Sequence, residues 1–343
     1  MAKAQQKTKA LSVALIGAET LLGRELEEVI KDRVQDALVH PFSASGEGNF
    51  GEEEGEPIFV EPFTAEVLSK NSAVVIAGSR EGATKAYDLA QATNSKPITI
   101  DCTGYLEEKP ETRILSPLGE LFSLQQGWLY EIAHPAASAL VLVLARLGGY
   151  QDIKQVIVHI FEPASERGHR GVSELQKQTT NLLSFKPLDK TVFDSQVSFN
   201  MLAQYGEEAP VKLASIEQRI IRHLTTLLSR QPKTAAIPNA SVRLVQAPVF
   251  HGYSMSVWVQ FENTVNATEA GEALASAQIE VRRAQDTAPD NVGVASQSGL
   301  IVGDIRVDEN NPRAMWFWIV GDNLRLTADA VSDAISSLKA EQR

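Results

Sequence analysis

A polar segment in the middle of the chain, Glu162 to Gly171, carries residue types suited to acid–base chemistry. Its sequence EPASERGHRG brings Glu166, Arg167, His169 and Arg170 close together along the chain. Carboxylates and a histidine can exchange protons with a substrate, while arginines can hold an anionic one. A solvated loop without chemistry would have the same composition, so the segment alone leaves both interpretations open.

A second segment, Gly17 to Gly23, has the spacing of a phosphate-binding turn. The apolar run Leu11 to Ile16 precedes it, and residues 24–32 (RELEEVIKD) follow it with a helical spacing of apolar positions. A strand, a glycine turn and a helix together place a pyrophosphate on the helix N-terminus. Thr20 stands where the middle glycine of such turns is found. The segment therefore predicts a dinucleotide-binding turn, or else an ordinary turn of a doubly wound domain.

The one cysteine of the chain, Cys102, limits the available thiol chemistry. A single cysteine cannot form an internal disulfide or a cysteine-based zinc site, and we predict no metal centre. Cys102 follows the apolar segment 97–101, at the carboxyl end of a predicted strand, where ligands bind in parallel sheets. The alternative is an inert small hydrophobic residue.

Repeated alternation of strand and helix patterns predicts a parallel sheet in the N-terminal half. The predicted strands are residues 11–16, 37–39, 73–77 and 97–101. The acidic segment from Gly46 to Glu56 is predicted to be a solvated loop or a hairpin tip, and its charge would repel a 2′-phosphate. The end of the second strand, residues 40–45 (HPFSAS), includes Ser43 and Ser45 but no acid or arginine. The cofactor could thus be NADP or NAD, with no arginine to favour the phosphorylated form.

The C-terminal half has strand patterns with fewer helices, which predicts a mixed or antiparallel sheet covered on one face. Its predicted strands are residues 153–161, 241–248, 254–261, 301–307 and 315–320, and its predicted helices are residues 172–184, 216–228 and 328–338. The last helix could return to the first domain. Trp258, Trp316, Phe317 and Trp318 could form a dimer surface or simply belong to the core.

Length and charge exclude several classes of protein. The 343 residues suit two domains, and 43% hydrophobic with 22% charged residues is typical of a globular protein. A net charge of −11 disfavours general binding to nucleic acid or to an anionic membrane. No targeting or membrane-spanning segment is evident, so the cytoplasm is the expected location.

Five segments, in order, resemble the aspartate-β-semialdehyde dehydrogenase family from end to end. They are GAETLLGREL from Gly17, GVSELQ from Gly171, FNML from Phe199, APVF from Ala247 with Gly252 and Ser254, and WIVGDNLR from Trp318. The resemblance implies a Rossmann-type domain, residues 1–135 with 323–343, and an α+β catalytic and dimerisation domain, residues 136–322. It also implies a homodimer and an NADP-linked reduction of an acyl phosphate.

The resemblance further implies a cysteine thiolate that forms a thioester, a histidine that moves protons, and arginines that hold the substrate. At those positions this chain departs from the family. The nucleophile position reads Ala137, the glutamine position Glu162, the substrate-arginine position Gln246, the histidine position Tyr253 and the phosphate-arginine position Glu107. A methyl group cannot form a thioester.

Weaker candidates remain for the lost roles. His251 lies two residues before Tyr253, so on a strand it would share the same face and could substitute for the missing histidine. His169 and Glu166 are the other candidates for proton transfer. The resemblance gives as candidate cofactor-binding residues Gly17, Glu19, Thr20, Leu21, Leu22, Gly23, Ser43, Gly78 and Asn323.

Two functions therefore follow from the sequence. The first is a catalytically silent relative that keeps the fold, the dimer and a crevice for a dinucleotide or another small ligand. The second is an active NAD(P)-dependent oxidoreductase for a different substrate, using the segment around Glu162 and Glu166, because hydride transfer needs no cysteine when the substrate is not acyl-activated.

Overall fold

The computed structural model describes residues 11–53, 56–115, 124–125, 127–230 and 237–341. The chain forms two compact units, here called unit 1 (Met1–Ala133 with Thr327–Arg343) and unit 2 (His134–Leu326). Among the described residues, no helix is both long enough and apolar enough to cross a bilayer.

The described residues form fourteen strands and eight α-helices with the following bounds. The strands are β1 (Leu11–Ile16), β2 (Ala37–Phe42), β3 (Asn49–Glu53), β4 (Glu56–Val60), β5 (Ala73–Ile76), β6 (Ile98–Asp101), β7 (Arg113–Leu115), β8 (Leu129–Ile132), β9 (Ile153–Glu162), β10 (Ser241–Gln246), β11 (Tyr253–Phe261), β12 (Ile279–Val281), β13 (Leu300–Asp308) and β14 (Asn311–Gly321). The helices are α1 (Leu21–Arg33), α2 (Ala65–Ser69), α3 (Arg80–Ala92), α4 (Pro135–Tyr150), α5 (Gly168–Leu183), α6 (Leu213–Ser229), α7 (Ala267–Leu274) and α8 (Asn323–Glu341).

Unit 1 is built on a parallel sheet of six strands in the order β2-β1-β5-β6-β8-β7. The side chains of β1 alternate between two cores. Leu15 packs on one face with Ile30 of α1 and Ile335 of α8, and Ile16 packs on the other with Ala86 of α3. Because both faces are buried, the strands read as continuous apolar runs, which is why they could be predicted. The predicted doubly wound domain is confirmed.

Unit 2 is built on a mixed sheet of six strands in the order β10-β9-β11-β14-β13-β12. Its central pairs are antiparallel, whereas β10 lies parallel to β9 and β12 lies parallel to β13. Helices α4, α6 and α7 pack together and contact the strands of this sheet. The predicted α+β unit with a mixed sheet is confirmed.

The structure corrects one local prediction and decides a second. The segment from Glu162 to Gly171 is not an open loop: Glu162 ends β9, residues 164–167 form a short 3-10 helix, and α5 begins at Gly168. For the acidic segment from Gly46 to Glu56 the structure favours the hairpin alternative over the loop, since β3 and β4 pair as antiparallel strands. Residues 54–55 of that segment lie outside the described residues.

The aromatic residues of the second sheet divide between its two faces. Phe317 is buried, with 1% of its surface exposed, and belongs to the core. Trp258, Trp316 and Trp318 alternate to the opposite, half-exposed face, where Trp318 also contacts Phe161. We call this the outer face of the sheet, defined by Phe161, Trp258, Trp316 and Trp318.

Candidate functional site

The centre of the candidate site in unit 2 is a buried ion pair. The alternation of β9 points Glu162 toward the core, and its side chain is fully buried. The short helix that follows brings Arg167 back to it, and the guanidinium donates to the Glu162 carboxylate at 2.9 Å. A buried carboxylate needs such a partner, because losing water disfavours its charged form.

Two further buried side chains complete the surroundings of Glu162. The Tyr205 hydroxyl lies 3.0 Å from Glu162 Oε2 and 2.7 Å from Gln246 Oε1. The Gln246 amide nitrogen donates to the carbonyls of Glu162 and Ala247, each at 2.9 Å, and these bonds fix the amide orientation. We call these side chains, together with the neighbouring Glu166, the Glu162 cluster: Glu162, Glu166, Arg167, Tyr205 and Gln246.

The phenolic proton of Tyr205 faces two acceptors and can serve only one of them. If Glu162 is neutral, its own proton goes to the Tyr205 oxygen and the Tyr205 proton goes to Gln246, so both contacts become hydrogen bonds. Burial raises the pKa of Glu162 to about 7, against the lowering effect of Arg167, and Glu166 adds to the rise. Glu162 therefore changes charge near neutrality, which is the property of a general acid or base.

The carboxylate of Glu166 accepts a hydrogen bond from the side-chain amide of Asn323, near the end of unit 2. Asn323, which is 1% exposed, donates to Glu166 Oε1 at 3.0 Å. The Asn323 carbonyl oxygen accepts from the Ser165 hydroxyl at 3.0 Å and from the Gly252 N–H at 3.2 Å. Asn323, predicted to bind a cofactor, thus connects three segments within unit 2. Its predicted cofactor role stays a prediction.

Two buried rings lie beside Glu166. His134 Nδ1 accepts from the Ala136 N–H at 3.3 Å, so the ring proton is assigned to Nε2, 3.9 Å from Glu166. Burial, followed by the charge of Arg219, holds the pKa of His134 well below its usual value, and the ring is neutral. Tyr253 is fully buried, and burial together with the nearby charges of Glu166 and Glu162 raises the pKa of its hydroxyl well above the usual value.

The residues His134, Glu162 and Glu166 have ligand atoms close enough to one another to hold a metal ion. Their chemistry does not fit one. Arg167 already occupies one oxygen of Glu162, and a positive guanidinium would repel a cation. Ligation by His134 Nε2 would move the ring proton to Nδ1, where it would face the Ala136 N–H. We therefore propose no metal centre from this cluster.

The structure also places the other predicted positions of unit 2. Ala137 lies fully buried in the first turn of α4. His251 precedes β11 in an irregular segment, so the prediction that it shares a strand face with Tyr253 is wrong. His169 and Arg170 are exposed on the first turn of α5, not on a loop, and the structure shows neither in contact with the Glu162 cluster.

Sequence reasoning missed Tyr205. It lies in an irregular segment between α5 and α6, 43 residues from Glu162 and 41 residues from Gln246. No motif surrounds it, and its role comes only from tertiary packing, including the edge contact of its ring with Phe193. A buried tyrosine near polar residues is the only signal that could have suggested it, because a buried hydroxyl needs a partner.

The candidate cofactor site of unit 1 is the glycine turn, Gly17 to Gly23. Gly17 has a φ of +89°, and a Cβ there would lie 2.7 Å from the backbone of Ala77 and Gly78. A Cβ at Gly23 would lie 2.0 Å from the Gly17 carbonyl oxygen. Both glycines are thus required for the close strand–helix approach of a dinucleotide-binding turn, and the geometry fits that ligand.

Thr20 stands at the position of the missing middle glycine and caps the helix that follows. It is the N-cap of α1: its hydroxyl accepts from the Gly23 N–H at 2.9 Å and lies 2.8 Å from the Gly17 carbonyl oxygen. The hydroxyl is thereby engaged within the turn. Leu21 and Leu22, the next two residues and both half-buried, open the helix that would carry a pyrophosphate.

The loop after β2 folds onto the turn after β5. The Ala44 carbonyl accepts from the Ser79 N–H at 3.0 Å and from the Ser79 hydroxyl at 3.1 Å. A Cβ at Gly78 would lie 2.7 Å from the same carbonyl oxygen, which explains the glycine there. Ser43 is fully buried, and its hydroxyl bonds to Gly46 and Glu47, so it stabilises the loop itself.

Cys102 is not an activated thiol. It follows β6 and is half-buried. Burial, together with the negative charges of Asp101 and Glu131, raises its pKa well above the usual value. The thiol is therefore protonated at neutral pH, and only the thiolate is a good nucleophile. These observations favour the inert alternative for Cys102.

Most of unit 2 matches a known protein family. Residues 144–326 match the family model of the semialdehyde dehydrogenase dimerisation domain. The chain belongs to the semialdehyde dehydrogenase family. This confirms the resemblance drawn from the five segments.

Several relatives are similar to this family member over almost its whole length. A "USG-1 protein homolog" of Azotobacter vinelandii is 27% identical, covering 92% of this chain and 94% of its own length. An aspartate-semialdehyde dehydrogenase of Rickettsia bellii is also 27% identical, covering 93% and 94%. The structure of a probable aspartate-semialdehyde dehydrogenase from Pseudomonas aeruginosa has a TM-score of 0.80 at 28% identity, covering 97% of this chain and 98% of that one.

Proposed function

We propose that this chain is an aspartate-semialdehyde dehydrogenase-like protein that keeps a dinucleotide-binding turn in unit 1 but not the cysteine-dependent reaction implied by its resemblance. The observation that carries the proposal is Ala137. It occupies the position at which the resemblance implies the nucleophile, and it lies fully buried in the first turn of α4. Without a sulfur atom there, no thioester can form, whatever the surrounding groups do.

The charges of the Glu162 cluster support the same proposal. The resemblance implies an arginine that binds substrate at the position of Gln246, which is neutral and whose amide is bound within the cluster. The cation of the cluster, Arg167, bonds to Glu162 at 2.9 Å. Glu162 thus offsets most of the positive charge of Arg167, which disfavours binding of an acidic substrate.

Turnover of aspartate semialdehyde is expected to be absent. With aspartate semialdehyde, phosphate and either NADP or NAD, the formation of reduced nicotinamide should be at least about 10⁴-fold slower than with the Rickettsia bellii relative as the control. The physical reason is the simultaneous loss of the nucleophile and of its partners, which act as a unit. The measurement is the absorbance of the reduced nicotinamide ring.

A matched variant separates the nucleophile from the rest of the site. Ala137→Cys restores the sulfur but leaves Gln246 and Tyr253 in place, so we expect less than about 1% of the control rate. Ala139→Cys, at another fully buried position of α4, serves as the control for the added thiol. Turnover by the unmodified protein within a hundredfold of the control enzyme would contradict the proposal.

A second candidate function, an NAD(P)-dependent oxidoreductase with a different substrate, is favoured by one observation. Glu162 has a pKa of about 7 and contacts Tyr205 at 3.0 Å, so the pair could transfer a proton at neutral pH. Hydride transfer to an aldehyde or ketone needs such a proton source and no cysteine. The exposed His169 and Arg170 are not required for this function.

The two functions differ in an assay with a panel of aldehydes and ketones. Under the first proposal, reduced nicotinamide stays unconsumed with every carbonyl compound. Under the second, at least one compound is consumed, and Glu162→Gln abolishes that consumption while Glu166→Gln weakens it less, because the Tyr205 hydroxyl bonds to Glu162 whereas Glu166 bonds to Asn323.

We also propose that the protein is a homodimer formed through the outer face of the second sheet. The supporting observations are the half-exposed Trp258, Trp316 and Trp318 and the family model, whose description is a dimerisation domain. Light scattering after size exclusion is expected to give twice the mass of one chain. Trp258→Glu should give monomers, because a charge desolvated in an apolar interface is costly.

A control for the dimer is available in unit 2. Phe185 is 98% exposed at the end of α5 and does not belong to the outer face. Phe185→Glu should therefore leave the mass unchanged. A monomeric unmodified protein, or an unchanged mass for Trp258→Glu with an intact circular dichroism spectrum, would contradict the proposed interface.

A further inference from the structure

Glu19 lies inside the glycine turn of unit 1, and only one of its two carboxylate oxygens is hydrogen-bonded among the described residues. Its Oε1 accepts from the Ala44 N–H at 2.8 Å. Its Oε2 is buried and has no hydrogen-bond partner among the described residues. A buried carboxylate oxygen without a donor is costly, and it marks a place where a donor from outside the protein would be stabilised.

This oxygen lies near the position at which doubly wound domains bind the adenosine ribose. Ala44 follows the carboxyl end of β2, the position at which doubly wound domains recognise the ribose of adenosine. An acid there accepts from the 2′-hydroxyl, whereas an arginine accommodates a 2′-phosphate. The residues after β2 offer neither. Glu19 brings a carboxylate to that position from the first turn instead.

A groove of about 630 Å³ opens beside Glu19, within the size range of small-molecule sites. It lies between α1, β2 and β4 and contains the aromatic ring of Phe59. Its charged lining residues are Glu19, Arg24, Glu27, Glu28, Lys31, His40 and Glu61.

Among the described residues that line this groove the balance of charge is negative, with four carboxylates and two cations. One of the cations, Lys31, forms an ion pair with Glu27 at 2.6 Å and so contributes little to attracting an anion. A 2′-phosphate would add a charge of about −2 next to Glu19, and like charges at short range repel strongly.

We propose that Glu19 is a specificity-determining residue that accepts a hydrogen bond from an unmodified adenosine ribose, so that the crevice takes NAD(H) and rejects NADP(H). The ribose hydroxyl donates to Oε2, while Oε1 keeps its bond to the Ala44 N–H. The inference rests on the proposed dinucleotide binding by unit 1. It adds the identity of the nucleotide and the residue that selects it.

The test is a comparison of dissociation constants by titration calorimetry on the full-length protein. We expect NADH to bind at least about tenfold more tightly than NADPH, a difference that one charge-assisted hydrogen bond can supply. ADP-ribose and its 2′-phosphate should show the same preference, because the discriminating group lies on the adenosine ribose.

Variants assign the preference to Glu19 itself. Glu19→Gln should weaken NADH binding by about tenfold and bring the two dinucleotides within about threefold of each other. Asp32→Asn removes a carboxylate from the exposed side of α1, outside the groove, and should change NADH binding by less than about twofold. Thermal unfolding and circular dichroism confirm that each variant is folded.

Each other result has a distinct meaning. If NADPH binds as tightly as NADH or more tightly, the inference is overturned and the proposed dinucleotide binding stands. If Asp32→Asn acts like Glu19→Gln, the general negative charge around the groove selects the nucleotide and the assignment to Glu19 is overturned. If neither dinucleotide binds, both the inference and the proposed binding by unit 1 are overturned.

Discussion

Replacing Glu162 by glutamine is expected to make the protein more stable above pH 7 and to leave its stability almost unchanged near pH 4.5. The folded-state pKa of Glu162 is about 7, above the ordinary value of 4.5, because burial disfavours the ionised carboxylate. A glutamine has the same shape but no proton to lose. At low pH the neutral acid and the amide are therefore nearly equivalent.

The sign follows from proton linkage. Between pH 4.5 and 7 the folded protein keeps the Glu162 proton that the unfolded chain releases. The free energy of unfolding therefore falls as the pH rises through this range, by a total on the order of 3 kcal/mol. Urea unfolding at pH 5, 6, 7 and 8 should show this fall in the unmodified protein and a reduced slope in Glu162→Gln.

An exposed glutamate provides the control. Glu272 lies on α7, exposed to solvent, so Glu272→Gln should follow the pH dependence of the unmodified protein. Other titrating groups are common to all the proteins compared and cancel in the difference. A Glu162→Gln variant less stable than the unmodified protein at pH 8 would show that the ion pair with Arg167 outweighs the cost of burying the charge.

Replacing Arg167 by methionine is expected to destabilise the protein by about 3–5 kcal/mol at pH 8. Arg167 is the ion-pair partner of Glu162 at 2.9 Å, and 14% of its side chain is exposed. Without it, the buried carboxylate has to remain charged without a cation or take up a proton against the solution pH. The loss should be smaller at pH 5.5, where Glu162 is already neutral.

The double variant Glu162→Gln with Arg167→Met isolates the interaction. Because the carboxylate is gone, we expect it to recover at least half of the stability that Arg167→Met loses at pH 8. Arg170→Met removes an equivalent charge from an exposed neighbour on α5 and should cost less than about 0.5 kcal/mol. A double variant no more stable than Arg167→Met would show that the effect comes from lost packing of the arginine side chain.

The parallel sheet of unit 1 could be predicted because its strands are short apolar runs that end at glycines and polar turns. The run Leu11–Ile16 followed by Gly17 is one such case. By contrast, α4 was not predicted. Its residues 136–144 are all buried, so the helix is apolar on every side and shows no amphipathic period. The family could be predicted from the order of five segments, which needs no knowledge of packing.

The Glu162 cluster could be predicted only in part. Glu162, Glu166 and Arg167 are close in sequence, and their proximity follows from the local chain. Gly171 favoured a loop interpretation of this segment, yet the glycine is needed by the helix: a Cβ there would lie 2.3 Å from the Ala164 carbonyl oxygen. The contact with Tyr205 depends on long-range folding, which no local pattern encodes.

The core of unit 1 contains residues from both ends of the chain. Val331 and Ile335 of α8 pack with Val13 and Leu15 of β1, and the whole of unit 2 lies between them in sequence. During synthesis, unit 2 has emerged from the ribosome before the helix that completes unit 1 exists. We therefore expect unit 1 to complete its core only after unit 2 has been synthesised, with its apolar face dependent on chaperones until then.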